Sequence, residues 1–210
     1  MATIGSPKDF LKIDDFIPDI LEMVLDAWTN FVKPLSNDHE VPTTRKFRLK
    51  LLQQRDLKNL PLKIEREVSI DDPETGKEIG RIDLCLTYDH RSGVYFAFEC
   101  KRLNVIDKNS RTSSLAKEYV MKGMTRFVGS EPQYSIGLKQ GGMIGYVMNG
   151  KIDTAIASVN KQVKDNYIDL QMKSPNGLNP SSRLTNKFLR ESLHHLPNQE
   201  FTIHHVFLPV

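Results

Sequence analysis

Hydrophobic residues recur at helical spacing over positions 16–33, where Ile17, Ile20, Leu21, Val24, Leu25, Trp28, Phe31 and Val32 share one face and Pro34 follows the end. This predicts an amphipathic N-terminal helix. A second helix is expected to begin between Glu40 and Thr44, with Pro42 in its first turn and Phe47 and Leu51 facing inward. The period then shortens to two. Lys63 to Ile70 alternates as a strand, and Asp71 to Gly76 (DDPETG) makes a turn. Gly80 to Tyr88 is a second strand, Asp89 to Gly93 (DHRSG) a second turn, and Val94 to Arg102 a third strand. The expected unit is a three-stranded antiparallel meander.

A helix is predicted from Ser114 to Val128, burying Leu115, Tyr119, Val120, Gly123, Met124, Phe127 and Val128, with Gly123 permitting close approach to a sheet. Turn material around Gly141 and Gly142 precedes a strand over Met143 to Met148. Ile152 to Val163 reads as a helix with Ile152, Ala155, Ile156, Val159 and Val163 inward. Residues 165–199 look polar and loop-rich, and a strand is expected over Phe201 to Leu208. Helix, meander, helix, strand, helix, strand suggests a single α/β domain, a sandwich around a mixed sheet. Its parts are an N-terminal helix over 16–33, a core over 40–150 and the loop-rich segment.

The 210 residues suffice to bury a sizeable core, and 39% hydrophobic with 26% charged residues is ordinary for a soluble protein. No apolar run approaches the ~20 residues of a membrane span. The start, MATIGSPKDFLKIDD, lacks the basic and apolar regions of a secretory signal. A cytoplasmic protein without a membrane partner is expected. The net charge of +3 permits a nucleic-acid partner without demanding one. Arg45, Lys46, Arg48, Lys50, Arg55 and Lys58 cluster against the single acid Asp56, which reads as a solvated helix face. Cys85 and Cys100 fall on opposite faces of the predicted hairpin, so reduced thiols are expected, not a disulfide.

Candidate chemistry lies in residues 80–102, GRIDLCLTYDHRSGVYFAFECKR. A loop centred on Arg91 sets Thr87 opposite Tyr95, Cys85 opposite Ala97 and Asp83 opposite Glu99, with Lys101 on the same face two residues on. Ile82, Leu84, Leu86, Phe96, Phe98 and Cys100 make the core face. Small Cys85 and Ala97 beside the acids indicate that their face is covered too. Two carboxylates paired across a hairpin repel, and partial burial raises the cost. A hard divalent cation such as Mg²⁺ or Mn²⁺ offsets this, and oxygen ligands suit it. Such an ion supports phosphodiester hydrolysis by making water nucleophilic near neutral pH and stabilising charge on the phosphate. Lys101 would orient or deprotonate the water or hold the phosphate, its neutral amine favoured by metal and desolvation.

Asp83 followed by Glu99-Cys100-Lys101 on the second and third strands resembles the D…ExK pattern of the PD-(D/E)XK nuclease superfamily, with its restriction-endonuclease-like fold. The resemblance spans about residues 40–150, and Ile82 stands where the family name has proline. It implies that a helix glutamate joins the metal ligands, with Glu40 first and Glu65 and Glu67 as competitors, and that the Cys100 carbonyl also ligates. It places Tyr119, Lys122 and Arg126 as a stripe near the site, suited to a phosphate. It further implies DNA as substrate and a role in prokaryotic restriction or phage defence, alone, as a homo-oligomer or with a partner subunit. The rival expectation is a catalytically idle nuclease-like domain that binds nucleic acid or other subunits. The pairs His194-His195 and His204-His205 are not read as zinc ligands, because adjacent strand residues point to opposite faces. Gly137 to Gly142 (GLKQGG) lacks the ending of a phosphate-binding loop and reads as a turn.

Overall fold

A computed structural model describes residues 13–35, 38–72, 74–88, 95–129, 134 and 138–210. The meander forms from β1 (Leu62–Asp71), β2 (Glu78–Tyr88) and β3 (Tyr95–Leu103), antiparallel throughout. Pairs Thr87–Tyr95, Leu86–Phe96, Cys85–Ala97 and Leu84–Phe98 reproduce the expected register. The turn Asp89 to Gly93 that suggested this register lies outside the described residues.

β3 runs through a small two-stranded excursion, β4 (Val105–Ile106) and β5 (Thr112–Ser113), into a helical crossover. That crossover is not one regular helix. It comprises α3 (Ala116–Glu118), a π-helical turn (Tyr119–Met124) and α4 (Thr125–Val128). It leads to β6 (Gln140–Val147), parallel to β3, and α5 (Ile152–Asp165) then leads on. β7 (Asn179–Pro180) and β8 (Leu189–Leu196) precede β9 (Gln199–Pro209), which lies parallel to β6 and antiparallel to β8. The result is a seven-stranded mixed sheet in the order β1-β2-β3-β6-β9-β8-β7.

Helices cover both faces, as the α/β sandwich expectation requires. On one face, α1 (Ile17–Thr29) and α2 (Glu40–Leu57) bury Ile20, Val24, Trp28, Phe47 and Leu51 against Leu84, Phe96, Phe98 and Cys100. On the other, the crossover helices and α5 bury Val120, Phe127, Val159 and Val163 with Cys85, Ala97 and Phe207. The two cysteines therefore lie in separate cores, both as free thiols. Among the described residues no helix is long and apolar enough to cross a membrane.

Several expectations are corrected. The first helix ends at Thr29, so Val32 lies beyond it and is exposed. Gly141 and Gly142 belong to β6, not to a turn. A side chain at Gly141 would run into Phe127, and one at Gly142 into Phe98. Here glycine lets aromatic rings approach the strand backbone. The segment 165–199 contains β8, whose buried Ser192 and His194 look polar in sequence but bond to one another inside. Half of the basic run on α2 is not merely solvated. Arg48 donates to the Ile64 carbonyl, Arg55 to the Leu62 carbonyl, and Lys58 pairs with Glu22 and Asp26 of α1.

The fold feature that matters most for the site is a change of face within β1 and β2. Leu62 and Ile64 pack with the α1–α2 core, yet Val68 and Ile70 pack with the opposite one. Likewise Leu84 and Leu86 face α1–α2, while Ile82, expected beside them, faces the crossover helices. From Leu62–Tyr88 to Ile70–Gly80 the register is the same before and after, with the pair Glu67–Asp83 alone missing, and a bulge follows between Ile70 and Asp71. Glu67 is left-handed, with φ 52°, a conformation that costs a non-glycine residue about 1–2 kcal/mol. With Glu67 out of the strand conformation and its pair with Asp83 unmade, side chains of both strands emerge on the opposite face beyond this point.

Candidate active site

Beyond Leu84–Phe98 the β2–β3 ladder has no further pairs, so Asp83 does not stand opposite Glu99 as an ordinary cross-strand partner. The two strands part there. Backbone groups of Cys100 and Arg102 on the β2 side of β3 then need other partners, since buried N–H and C=O groups are costly to leave unmade. Two carboxylates supply them. Asp83 Oδ2 accepts the Cys100 N–H at 2.7 Å, and Glu40 Oε2, from the first residue of α2, accepts the Arg102 N–H at 3.1 Å. The Cys100 carbonyl on this edge accepts from Lys101 Nζ at 2.9 Å.

Lys101 is the hub. Besides the Cys100 carbonyl, its ammonium donates to Glu99 Oε1 at 2.6 Å and Glu40 Oε1 at 3.3 Å. Glu99 is 1% exposed. Arg126 from α4 approaches its second oxygen at 3.5 Å, and the Tyr134 hydroxyl stands 3.4 Å from the same atom. Arg126 and Tyr134 bond to one another and both donate to the Arg81 carbonyl, which closes the displaced half of β2 over the site.

Burial dominates the electrostatics of the acids. Desolvation raises Glu99, reinforced by the Asp83 charge, and Lys101 and Arg126 only partly offset it, leaving its pKa at about 7. Glu40 and Asp83 are raised by burial as well. Burial pulls Lys101 down, but the charges of Glu99 and Glu40 outweigh it, and the net shift is upward. The neutral amine expected of Lys101 belongs to the ion-loaded site, where the charge of the ion would oppose these carboxylates. With the carboxylates alone around it, Lys101 favours the ammonium form and donates to Glu99, Glu40 and the Cys100 carbonyl.

Of the other sequence candidates, Arg126 reaches the site but Tyr119 and Lys122 do not. The π-helical turn widens the hydrogen-bond spacing and breaks the regular i, i+3, i+7 stripe on which that grouping relied. Tyr119 is fully buried, and Lys122 is exposed and paired with Glu118. Gly123 does bring the turn close to the sheet, beside Met143 and Lys101. Of the acids considered as third ligand, Glu40 joins the cluster. Glu65 pairs with Lys63. Glu67 pairs with Arg66 at a small cleft lined also by Val41, Thr44, Arg45 and Asp83. Tyr134 is the participant that sequence reasoning missed. It lies in an aperiodic polar stretch that gives no signal.

The tyrosine that left the site heads a buried polar chain. His194 Nδ1 lies 2.7 Å from the Leu170 carbonyl, which can only accept, so this nitrogen carries a proton. With His194 neutral, its Nε2 accepts from Ser192 Oγ at 2.7 Å. Ser192 Oγ in turn accepts from His205 Nε2 at 2.9 Å, and His205 Nδ1 accepts from the Tyr119 hydroxyl at 3.0 Å. One carbonyl thus fixes the direction of four hydrogen bonds. His195 points elsewhere, to Glu200, and His204 to Gln140, so neither histidine pair converges on one point.

Burial holds His194 and His204 at about 4, and His205 is also well below the ordinary value. As pH falls, the unfolded chain protonates first, near 6.5. Each depressed histidine then subtracts about 1.4 kcal/mol of stability per pH unit until its folded pKa is reached. The raised site carboxylates act in the opposite sense, so side-chain titration is the clean readout. In NMR, His194 and His204 are expected to stay neutral to about pH 4. Titration near 6.5 would contradict the buried chain.

Among the described residues no three His, Cys, Asp or Glu side chains form a ready-made metal cage. The donor set nevertheless suits a hard cation. Glu99 Oε1, Glu40 Oε1 and the Cys100 carbonyl already converge on one positive charge, the Lys101 ammonium, and Asp83 lies on the same edge. Comparison with known proteins adds no relative: no family model, curated protein or solved structure matches this chain.

Proposed function

We propose that this chain is a Mg²⁺- or Mn²⁺-dependent endonuclease of the PD-(D/E)XK superfamily, with a restriction-endonuclease-like fold, hydrolysing phosphodiester bonds in DNA. The observation that carries this reading is the convergence of Glu99, Glu40 and the Cys100 carbonyl on Lys101, with Asp83 on the Cys100 N–H beside them, on a strand edge that β2 has left. A surface ion-pair cluster has solvated, splayed side chains worth little energy. Here Glu99 is buried and every acid has an assigned partner.

Asp83, Glu99, the Cys100 carbonyl and Glu40 would hold the ion. When bound, it supplies a nucleophilic water near neutral pH and neutralises charge on the attacked phosphate. Lys101 donates hydrogen bonds at the same point and holds the water or a phosphate oxygen in line. Arg126 presents a partly exposed guanidinium beside Glu99, suited to a second phosphate oxygen. Tyr134 holds Arg126 and the Arg81 carbonyl beside Glu99. A place in prokaryotic restriction or phage defence, as a homo-oligomer or with a partner subunit, rests on the family resemblance.

Supercoiled plasmid incubated with the purified chain tests the reading. Nicking or linearisation is expected in Mg²⁺ or Mn²⁺ and none in EDTA. Undiminished cleavage in EDTA would overturn the mechanism.

A further inference from the structure

Glu67 lies in the left-handed region, with φ 52°, in the middle of a strand. Its own pair, with Asp83, is the one missing from a β1–β2 register that is otherwise continuous from Leu62–Tyr88 to Ile70–Gly80. Both strands change face there, and Asp83 reaches across to the Cys100 N–H, where a regular β2 would offer backbone. We infer that Glu67 is the positioning residue of the site: its left-handed backbone frees Asp83 from the ladder and sends the carboxylate to the β3 edge. The inference rests on the nuclease reading for its consequence, but the geometry it explains does not.

The causal order follows from sterics. A residue with φ above zero cannot continue the ladder geometry of a strand, so a left-handed position 67 interrupts the pairing at that point. If β1 were regular at position 67, the pair with Asp83 would form, Ile82 would turn to the α1–α2 face and Asp83 would point to the opposite one. Asp83 could not then accept the Cys100 N–H. The carboxylate of Glu67 is not what the device needs. It pairs with Arg66 beside the cleft, and its charge disfavours the charged form of Asp83.

Backbone and side-chain roles separate with three substitutions. Glu67→Gly retains access to the left-handed conformation without its cost, Glu67→Gln retains the shape without the charge, and Glu67→Val strongly resists φ above zero. Two quantities are read on each folded protein: the hydrogen-exchange protection of the Cys100 amide and the affinity for Mn²⁺ by calorimetry. Glu67→Gly is expected to keep both and to melt at or above the wild type. Glu67→Gln is expected to keep both. Glu67→Val is expected to lose Cys100 protection and at least tenfold in Mn²⁺ affinity.

Loss of Cys100 protection or of Mn²⁺ affinity in Glu67→Gly overturns the inference, because the side chain would then be what matters. A tenfold loss of affinity in Glu67→Gln does the same, by making the carboxylate a ligand. A folded Glu67→Val that keeps both Cys100 protection and Mn²⁺ affinity overturns it as well, and should that variant fail to fold, Glu67→Ala, which also disfavours φ above zero, takes its place. If the wild type binds no Mn²⁺ while Cys100 protection follows the expected order, the positioning inference stands and the nuclease reading fails.

Discussion

Asp83→Asn and Glu99→Gln are each expected to reduce plasmid cleavage at least about a thousandfold, the scale lost when a preorganised charged group leaves an active site. Each removes one anionic oxygen ligand while keeping the shape of the side chain. Asparagine can still accept the Cys100 N–H through its amide oxygen, so the strand edge stays capped. Asp83→Asn is expected to melt higher than the wild type in EDTA, because burial already disfavours its charge. A site that stabilises the fold when its charge is removed is held for function. Equal cleavage by the asparagine variant would remove Asp83 from the chemistry.

Lys101→Ala carries the second large effect, and it is one of stability. The ammonium is the shared partner of Glu99, Glu40 and the Cys100 carbonyl. Its loss leaves Glu99 buried with only the longer contacts of Arg126 and Tyr134, and removing one member of a buried charge cluster costs about 3–5 kcal/mol. The side chain of Lys101 retains some exposure, 15%, so the lower end applies. The variant is expected to melt well below the wild type in EDTA and to recover more on adding Mg²⁺, since a ligand that binds only the folded state stabilises it. Cleavage is expected to be lost while ion binding is retained. A variant that melts like the wild type and cleaves normally would show the lysine to be a bystander.

The hairpin register was legible from Leu84 to Thr87 because two independent signals agreed. Alternation over residues 80–102 and a turn between them set Cys85 opposite Ala97, as observed. What alternation cannot express is a residue that leaves it. Glu67 is neither glycine nor asparagine, so nothing marks it as left-handed, and Ile82 was consequently assigned to the wrong face. The same blindness hid the π-helical turn at Tyr119–Met124, although the burial of Tyr119 was predicted and is observed. Gly141 and Gly142 were read as punctuation, although aromatic rings of Phe127 and Phe98 need the missing side chains. In β8 the interior partners of Ser192 and His194 come from other elements, which a single polar-looking segment does not reveal.

Glu40 was found for a reason that sequence carries only in part. Its place at the start of a helix was readable, but its task, accepting the Arg102 N–H on an edge without a neighbouring strand, depends on β2 departing. The site is therefore less a pair of opposed acids on a flat hairpin than a set of carboxylates gathered where two strands separate.

The central claim is that this edge holds a divalent cation. Titrating Mn²⁺ into the wild type and into Asp83→Asn by calorimetry measures it without requiring substrate or turnover. At least one ion is expected to bind each wild-type chain, with affinity at least tenfold weaker in the asparagine variant. Absence of binding to the wild type, or equal binding to both proteins, would contradict the account.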